Sequence, residues 1–90
     1  MKTSYDIHEA SLWYGEDLIV FDGLDKAIIG VAVVEDEARV CYSKEKVIQC
    51  FMENGMNEME AVEYAEYNVF DAYLGAKTPI FVDDFFNNLT

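Results

Sequence analysis

Twelve uncompensated negative charges constrain this chain more than any other feature of its sequence. Its 90 residues include 18 Asp and Glu against six Lys and Arg, a formal net charge of −12 at pH 7. Yet 52% of the residues are hydrophobic, whereas disordered acidic segments combine high net charge with low hydrophobicity. The charge must therefore lie on the surface of a protein with an apolar core. The length predicts a single domain spanning residues 1–90.

This acidity limits the partners that the protein can bind. An acidic surface repels nucleic acid and anionic membrane, and it attracts basic protein surfaces, some of which bind nucleic acid. The first residues lack the apolar run of a signal peptide, and no segment approaches the roughly 20 apolar residues of a membrane span. We expect a cytoplasmic protein that binds neither nucleic acid nor membrane directly, with Cys41 and Cys50 as free thiols.

The order of the predicted elements indicates the fold class. Hydrophobic patterns and turn signals predict a helix over 4–14, strands over 18–21, 27–34 and 38–42, helices over 44–54 and 58–74, and a strand over 80–82. We expect the tail at 83–90 to add a helical turn that docks through Phe85, Phe86 and Leu89. The order α-β-β-β-α-α-β predicts an α+β fold in which a small antiparallel sheet, a three-strand meander plus a C-terminal strand, packs with three helices.

Several local signals make sharper predictions. The strand over 27–34 is apolar on both faces, which favours a central strand, and Gly30 within it indicates a bulge. Ser43 is placed to cap the helix over 44–54. Asn57 and Glu60 have the spacing of a capping box at the start of the long helix.

The long helix has one misfit in its predicted buried face. At 100° per residue, that face contains Val62, Ala65, Val69 and Tyr73. Glu66 falls between them, and an unpaired buried carboxylate is costly. We expect Glu66 to reach water, to pair with Arg39, Lys77 or His8, or to line a pocket as a functional carboxylate.

The other face of this helix is acidic. Five acids and no base lie between residues 58 and 74, where a face selected only for stability would include Lys. Carboxylates and tyrosine hydroxyls there are candidates for the positions of phosphates on a basic partner, and a solubilising surface is the alternative. The candidate partner-binding residues are Glu58, Glu60, Glu63, Tyr64, Tyr67 and Asp71 of the helix, and Glu35, Asp36 and Glu37 of a three-acid turn.

Catalytic and metal-binding motifs are weak. Asp22 and Asp25 flank Gly23 in a turn, but the twelve-residue ligand pattern of an EF-hand is missing. His8 has no nucleophile or orienting carboxylate at a recognisable spacing. We therefore expect no catalytic residue, no metal site and no cofactor. A small metal-dependent or acid–base enzyme that uses Asp22, Asp25 and Glu66 stays open as an alternative.

Three stretches carry a family resemblance. Residues 22–31 (DGLDKAIIGV), 60–69 (EAVEYAEYNV) and 78–82 (TPIFV) resemble a family of short proteins encoded by tailed bacteriophages and prophages. The resemblance covers roughly residues 18 to 82. It implies an accessory role in an infected bacterium, and it transfers no catalytic residue.

Charge and resemblance together give the leading hypothesis. We expect a non-enzymatic phage accessory protein whose acidic helix face binds, and inhibits, a host nucleic-acid-handling or defence protein by mimicking nucleic acid. An alternative from another class is a structural or regulatory homodimer whose acidity serves only solubility. Its interface would draw on the six Tyr, six Phe and one Trp.

Overall fold

A small mixed sheet and the helices that follow its hairpin form the fold. The computed structural model describes residues 12–15 and 17–84. Within these residues, the elements are β1 (Ile28–Val34), β2 (Glu37–Ser43), α1 (Lys44–Glu53), α2 (Glu58–Ala65) and β3 (Ile80–Val82). A 3-10 turn at Asp25–Ala27 precedes β1, and a π-helical turn at Glu66–Phe70 continues α2. The predicted α+β class is confirmed.

A tight antiparallel hairpin joins β1 to β2. Its turn contains only Glu35 and Asp36, because Glu37 already pairs with Val34 as the first residue of β2. The predicted bulge is also present. The pairing is irregular between Ile28, which lies opposite Tyr42, and Gly30, which lies opposite Cys41.

The first strand lies at the edge of the sheet and not at its centre. The strand order is β1-β2-β3, so the prediction of a central strand is wrong for the described residues. Ile29, Val33 and Val34 are exposed, Val33 by 60%. An apolar run indicates a strand, but it does not show that another element covers both faces.

Residues 18–21 were predicted as a strand, and they do not join the sheet. Leu18 and Phe21 instead pack, partly buried, against the core. The backbone N–H of Phe21 donates to the hydroxyl of Tyr42 at 2.8 Å, so a side chain satisfies a group that a sheet would otherwise pair. A turn follows, in which Gly23 has φ +81°.

The last strand pairs with β2 in parallel. Cys41 lies opposite Ile80 and Ser43 opposite Val82. Its predicted position is right, and the predicted antiparallel orientation is wrong. The chain leaves β2 after Ser43, passes through the two helices and enters β3 opposite Cys41, so β3 runs in the same direction beside the last three residues of β2.

The core lies between the sheet and the two helices. Tyr42, Ile28, Val40 and Val47 are its largest fully buried apolar side chains. From α2 and the π-turn, the buried residues are Ala61, Ala65 and Val69, spaced four apart. The buried face of the helix is therefore rotated relative to the predicted one. Tyr73, which is 82% exposed, does not belong to the buried face. The helical region ends at Phe70 and not at Leu74.

Side-chain caps fix both helix starts as predicted. Ser43 Oγ accepts a hydrogen bond from the N–H of Lys46 at 3.0 Å, and Asn57 and Glu60 form the reciprocal capping box. Asp84 adds a second cap to α1. One of its oxygens accepts from the Ser43 hydroxyl and the other accepts from the N–H of Glu45 at 3.1 Å.

Some predictions fall outside the described residues. These are the tail contacts of Phe85, Phe86 and Leu89, the position of His8, and most of the helix over 4–14, of which only Leu12–Tyr14 are described as helical. Across the described residues, every helix is too short or too polar to cross a bilayer.

Candidate partner-binding surface

Four side chains of α2 and its π-turn form an acidic face, namely Glu58, Glu60, Glu63 and Tyr67. All four are exposed, Tyr67 by 80%. Met59 stands beside them with 77% exposure. Glu60, Glu63 and Tyr67 lie opposite the buried positions Ala61 and Ala65, so the helix directs them away from the core, whereas Glu58 is exposed as the first residue of α2.

Three described lysines form ion pairs with carboxylates outside the acidic face. Lys26 lies 4.0 Å from Glu53, and Lys44 lies 3.3 Å from Asp83. Lys77 pairs with Asp17 at 3.5 Å and with Glu37 at 3.1 Å. Among the described residues, no Lys or Arg forms an ion pair with a carboxylate of the acidic face, whose negative charge is therefore not neutralised by these cations.

Glu60 has a structural contact as well as an exposed carboxylate. Its Oε1 accepts from the backbone N–H of Asn57 at 3.0 Å, while Asn57 Oδ1 accepts from the N–H of Glu60 at 2.9 Å. Because glutamine also completes a capping box, the charge of Glu60 can be removed without removing the cap.

Tyr64 lies to one side of the acidic face. Its ring packs edge-on against Phe51 of α1, with centroids 5.0 Å apart, and 45% of the residue is exposed. Tyr64 therefore contributes to the contact between α1 and α2, and only part of it is open to a partner.

The three predicted turn residues differ in their surroundings. Glu35 and Asp36 are exposed at the hairpin tip, whereas Glu37 is half-buried and pairs with Lys77. The hydrogen bond to Glu37 is the main cause of a raised pKa for Lys77. The charge of Glu37 is thus compensated within the chain.

Both residues of the hairpin tip have a left-handed backbone conformation. Glu35 has φ +51° and Asp36 has φ +69°. A two-residue hairpin with positive φ at both positions favours Asn-Gly, because a Cβ atom is unfavourable in the left-handed region. Two acids occupy these positions at a cost in backbone energy.

A cleft lies between α1 and the π-turn, which we name the π-turn cleft. Its volume is about 290 Å³, and it is lined by Lys44, Ile48, Val62, Glu66, Phe70 and Asp71, together with Asp83. The ammonium of Lys44 lies 4.9 Å from the centre of the Phe70 ring. A pocket lined by Glu66 was one of the alternatives that its misfit in the helical pattern raised, but the sequence did not predict the other residues of this cleft.

Glu66 and Asp71 both line the π-turn cleft. Glu66 is exposed at the cleft, so it is not a buried carboxylate, and Arg39 and Lys77 do not pair with it. Arg39 Nε donates instead to the carbonyl oxygen of Thr78 at 2.6 Å. Asp71 lines the cleft beside Glu66 and does not continue the acidic face.

The acids considered for a metal-dependent enzyme do not form one site. Asp25 lines a separate cleft near Cys50 and Glu53, away from Glu66. In the described part of the chain, no three His, Cys, Asp or Glu side chains are grouped so that they could hold a metal ion. Burial is the main reason that the pKa of the Cys50 thiol is raised, which disfavours a reactive thiolate there.

Comparison with protein families, with curated proteins and with solved structures gives no match for this chain. The resemblance to short phage proteins therefore stays a prediction. The case for a function is made from the geometry of the acidic face and the π-turn cleft.

Proposed function

We propose that this protein is a non-enzymatic phage accessory protein that binds the basic surface of a host nucleic-acid-handling or defence protein. In this proposal the acidic face of α2 makes the main contact with the partner. The protein inhibits the partner by occupying the site where the partner binds nucleic acid. The cytoplasm of an infected bacterium is the proposed setting.

The observation that carries this proposal is the distribution of charge. Glu58, Glu60 and Glu63 are exposed on one helix, and the described cations that form ion pairs, Lys26, Lys44 and Lys77, pair with other acids. Glu60 and Glu63 are three residues apart, and repulsion between like charges at this spacing on a helix costs a few tenths of a kcal/mol. A surface that serves only solubility has no need for that cost, since mixed charges would serve as well.

Exposed apolar groups beside the acids support a protein partner. Tyr67 and Met59 are about four-fifths exposed on or next to the acidic face. Tyrosine, other aromatic residues and methionine are enriched in protein interfaces relative to the rest of the surface. Acids that steer a basic partner and apolar groups that hold it therefore occupy the same side of α2.

The hairpin tip supports the same proposal independently. Glu35 and Asp36 keep their charge where Asn-Gly would relieve backbone strain. Strained positions persist where they serve a function that offsets their cost. We therefore include both acids in the proposed partner-binding surface.

The test compares two variants with equal loss of charge. The variant E58Q/E60Q/E63Q removes three acids from the acidic face and keeps the capping box, while D22N/D25N/E53Q removes three acids elsewhere. Each protein is immobilised and exposed to nuclease-treated bacterial lysate, and any captured protein is then purified and its affinity measured. The first variant should bind roughly ten-fold more weakly than the native chain, and the second should bind about as well.

Two further measurements test the mimicry. Affinity should fall steeply between low and high salt, and a short DNA duplex should compete with the protein for its partner. Binding that is insensitive to salt, or a ternary complex in which the partner holds both ligands, would contradict inhibition at a nucleic-acid site.

The exposed edge strand favours a second candidate, a homodimer. The described neighbours of β1 lie only on its β2 side, and its outer region exposes Ile29, Val33 and Val34 without a charged side chain. An apolar edge of this kind can pair with another copy. Light scattering should then show a dimer that Val33→Lys dissociates, and a native monomer at all concentrations would exclude this candidate.

A further inference from the structure

We propose that the π-turn cleft binds an arginine side chain of the protein's basic partner. This inference rests on the proposed function and assigns one specific contact within it. The guanidinium would lie between Glu66 and Asp71, with its methylene stem against the apolar wall of the cleft.

The electrostatics of the cleft favour a cation. Three carboxylates line it, from Glu66, Asp71 and Asp83, against the single ammonium of Lys44. Lys44 is 3.3 Å from Asp83, while Glu66 and Asp71 have no ion pair with any described cation. Two carboxylates in one cleft are therefore left to be compensated from outside.

The aromatic wall already holds a cation of the chain itself. Lys44 Nζ lies 4.9 Å from the centre of the Phe70 ring, within the range of a cation–π interaction. The ring is fixed from another direction by an edge-on contact with Phe81, whose centroid is 5.1 Å away. Phe70 is thus held in place as a surface on which a cation can stack.

The π-turn explains why the two free carboxylates line the same cleft. Residues five positions apart diverge by about 140° around an α-helix. In a π-turn the hydrogen bonds join residues five apart, so such residues lie nearly above one another. The π-turn runs from Glu66 to Phe70, and Asp71 follows it directly. A regular helix would have separated Glu66 from Asp71.

Size and shape indicate one long side chain and not a larger ligand. The volume of about 290 Å³ lies at the lower limit of ordinary small-molecule pockets. Ile48 and Val62 provide an apolar wall suited to a methylene stem. Arginine fits better than lysine, because its planar guanidinium can stack on an aromatic ring and bridge two carboxylates.

The test uses a single amino-acid probe and its neutral isostere. The full chain, labelled with ¹⁵N, is titrated with N-acetyl-arginine methylamide and separately with the citrulline analogue, and backbone amide shifts are followed by NMR. Arginine should give saturable shifts at residues 66–71 and Ile48. The citrulline analogue should bind at least ten-fold more weakly, on the order of one lost charge-assisted pair.

Three variants make the result specific to the cleft. E66Q/D71N should abolish the saturable shifts, and E60Q/E63Q, which removes two acids from the acidic face, should preserve them. Lys44→Met should raise the affinity for the arginine probe roughly two- to five-fold, because it removes a competing cation from the ring of Phe70. A dispersed spectrum confirms that each variant is folded.

Several results would overturn the inference. These are equal binding of the citrulline analogue, shifts spread evenly over the acidic residues, or unchanged shifts in E66Q/D71N. A negative result in the arginine titration would contradict the cleft site but not the proposed role of the acidic face. The variant E58Q/E60Q/E63Q tests that role separately, because it leaves the cleft intact. Loss of partner binding in that variant, together with normal arginine shifts, would show that the two sites contribute separately.

Discussion

Glu35 and Asp36 show at the scale of single residues how stability and charge compete in this protein. Both have positive φ in a turn where Asn-Gly is preferred. A residue with a Cβ atom loses roughly 1–2 kcal/mol in the left-handed conformation, and Asp tolerates it better than most.

Replacing these two residues should stabilise the protein. The variant E35N/D36G should raise the free energy of unfolding by about 1–2 kcal/mol, measured by urea denaturation at pH 7. The control E35Q/D36N removes the same charges but keeps a Cβ atom at both positions. An equal gain in the control would assign the effect to charge repulsion and would contradict the argument from backbone strain.

Buried ionisable side chains predict a loss of stability at alkaline pH. Burial is the main cause of a raised pKa for the Tyr42 phenol and for the Cys41 and Cys50 thiols. A group with a higher pKa in the folded state keeps its proton there after the unfolded chain has lost it. The stabilisation is therefore complete below the unfolded pKa and is lost as pH rises. Lys77, whose pKa is also raised, changes stability in the same direction.

Urea denaturation between pH 7 and pH 11 measures this effect. The free energy of unfolding should stay level up to about pH 8.5 and then fall, by at most about 1.4 kcal/mol per pH unit for each of Cys41, Cys50 and Tyr42. Tyr42→Phe should flatten the decline above pH 10. It should also cost about 1 kcal/mol at pH 7, because the N–H of Phe21 loses its acceptor. A stability that rises above pH 9 would contradict the prediction.

At the scale of elements, the start of α1 depends on a residue that is distant in sequence. Asp84 accepts hydrogen bonds from the Ser43 hydroxyl and the N–H of Glu45, at the end of the helix where negative charge is favoured. Asp84→Ala should therefore destabilise the protein by about 1–2 kcal/mol, with Asp84→Asn in between.

The neighbouring residue provides the control for this prediction. Asp83→Ala breaks only the pair with Lys44, in which the Asp83 side chain is 64% exposed. Such exposed pairs contribute at most about 1 kcal/mol. Thermal unfolding measures the loss of stability in each variant. Equal losses in Asp83→Ala and Asp84→Ala would contradict the role of Asp84 as a cap.

Sequence reasoning succeeded at this scale where the signal is local. Ser43 caps α1, Asn57 and Glu60 form a capping box, and Gly30 marks an irregular pairing in β1. Each feature depends on residues within a few positions of one another, so its cause is visible in the sequence. The start of β3 after Pro79 was predictable for the same reason.

Features that depend on distant residues were not predictable. The edge position of β1 and the parallel direction of β3 follow from how the helices cross the sheet. The cap from Asp84 joins residues about forty positions apart. The set of residues that line the π-turn cleft was not predicted, because an angle of 100° per residue does not apply through Glu66–Phe70.

At the scale of the whole molecule, the net charge of −12 predicts that salt stabilises the fold. Repulsion among exposed acids opposes the compact state, and the screening length falls from about 30 Å at 0.01 M salt to about 3 Å at 1 M. The free energy of unfolding should rise by on the order of 1 kcal/mol over this range.

The variant with a neutral acidic face is the matched comparison. E58Q/E60Q/E63Q should show a weaker dependence on NaCl in urea denaturation, because part of the repulsion is already removed. A chain whose stability falls as NaCl is added would show that its ion pairs outweigh the repulsion between its acids. In that case repulsion between the acids would not lower the free energy of unfolding.

The parallel pairing of β2 with β3 also has a consequence for folding kinetics. The β1–β2 hairpin closes over two residues. The contact between Arg39 of β2 and Thr78, just before β3, instead joins residues that are 39 positions apart in the sequence. Closing a longer loop costs more chain entropy, and contacts of high sequence separation slow folding. We therefore expect the docking of β3 to limit the folding rate. Because Asp83 directly follows β3, the π-turn cleft is completed only when this slow step has occurred.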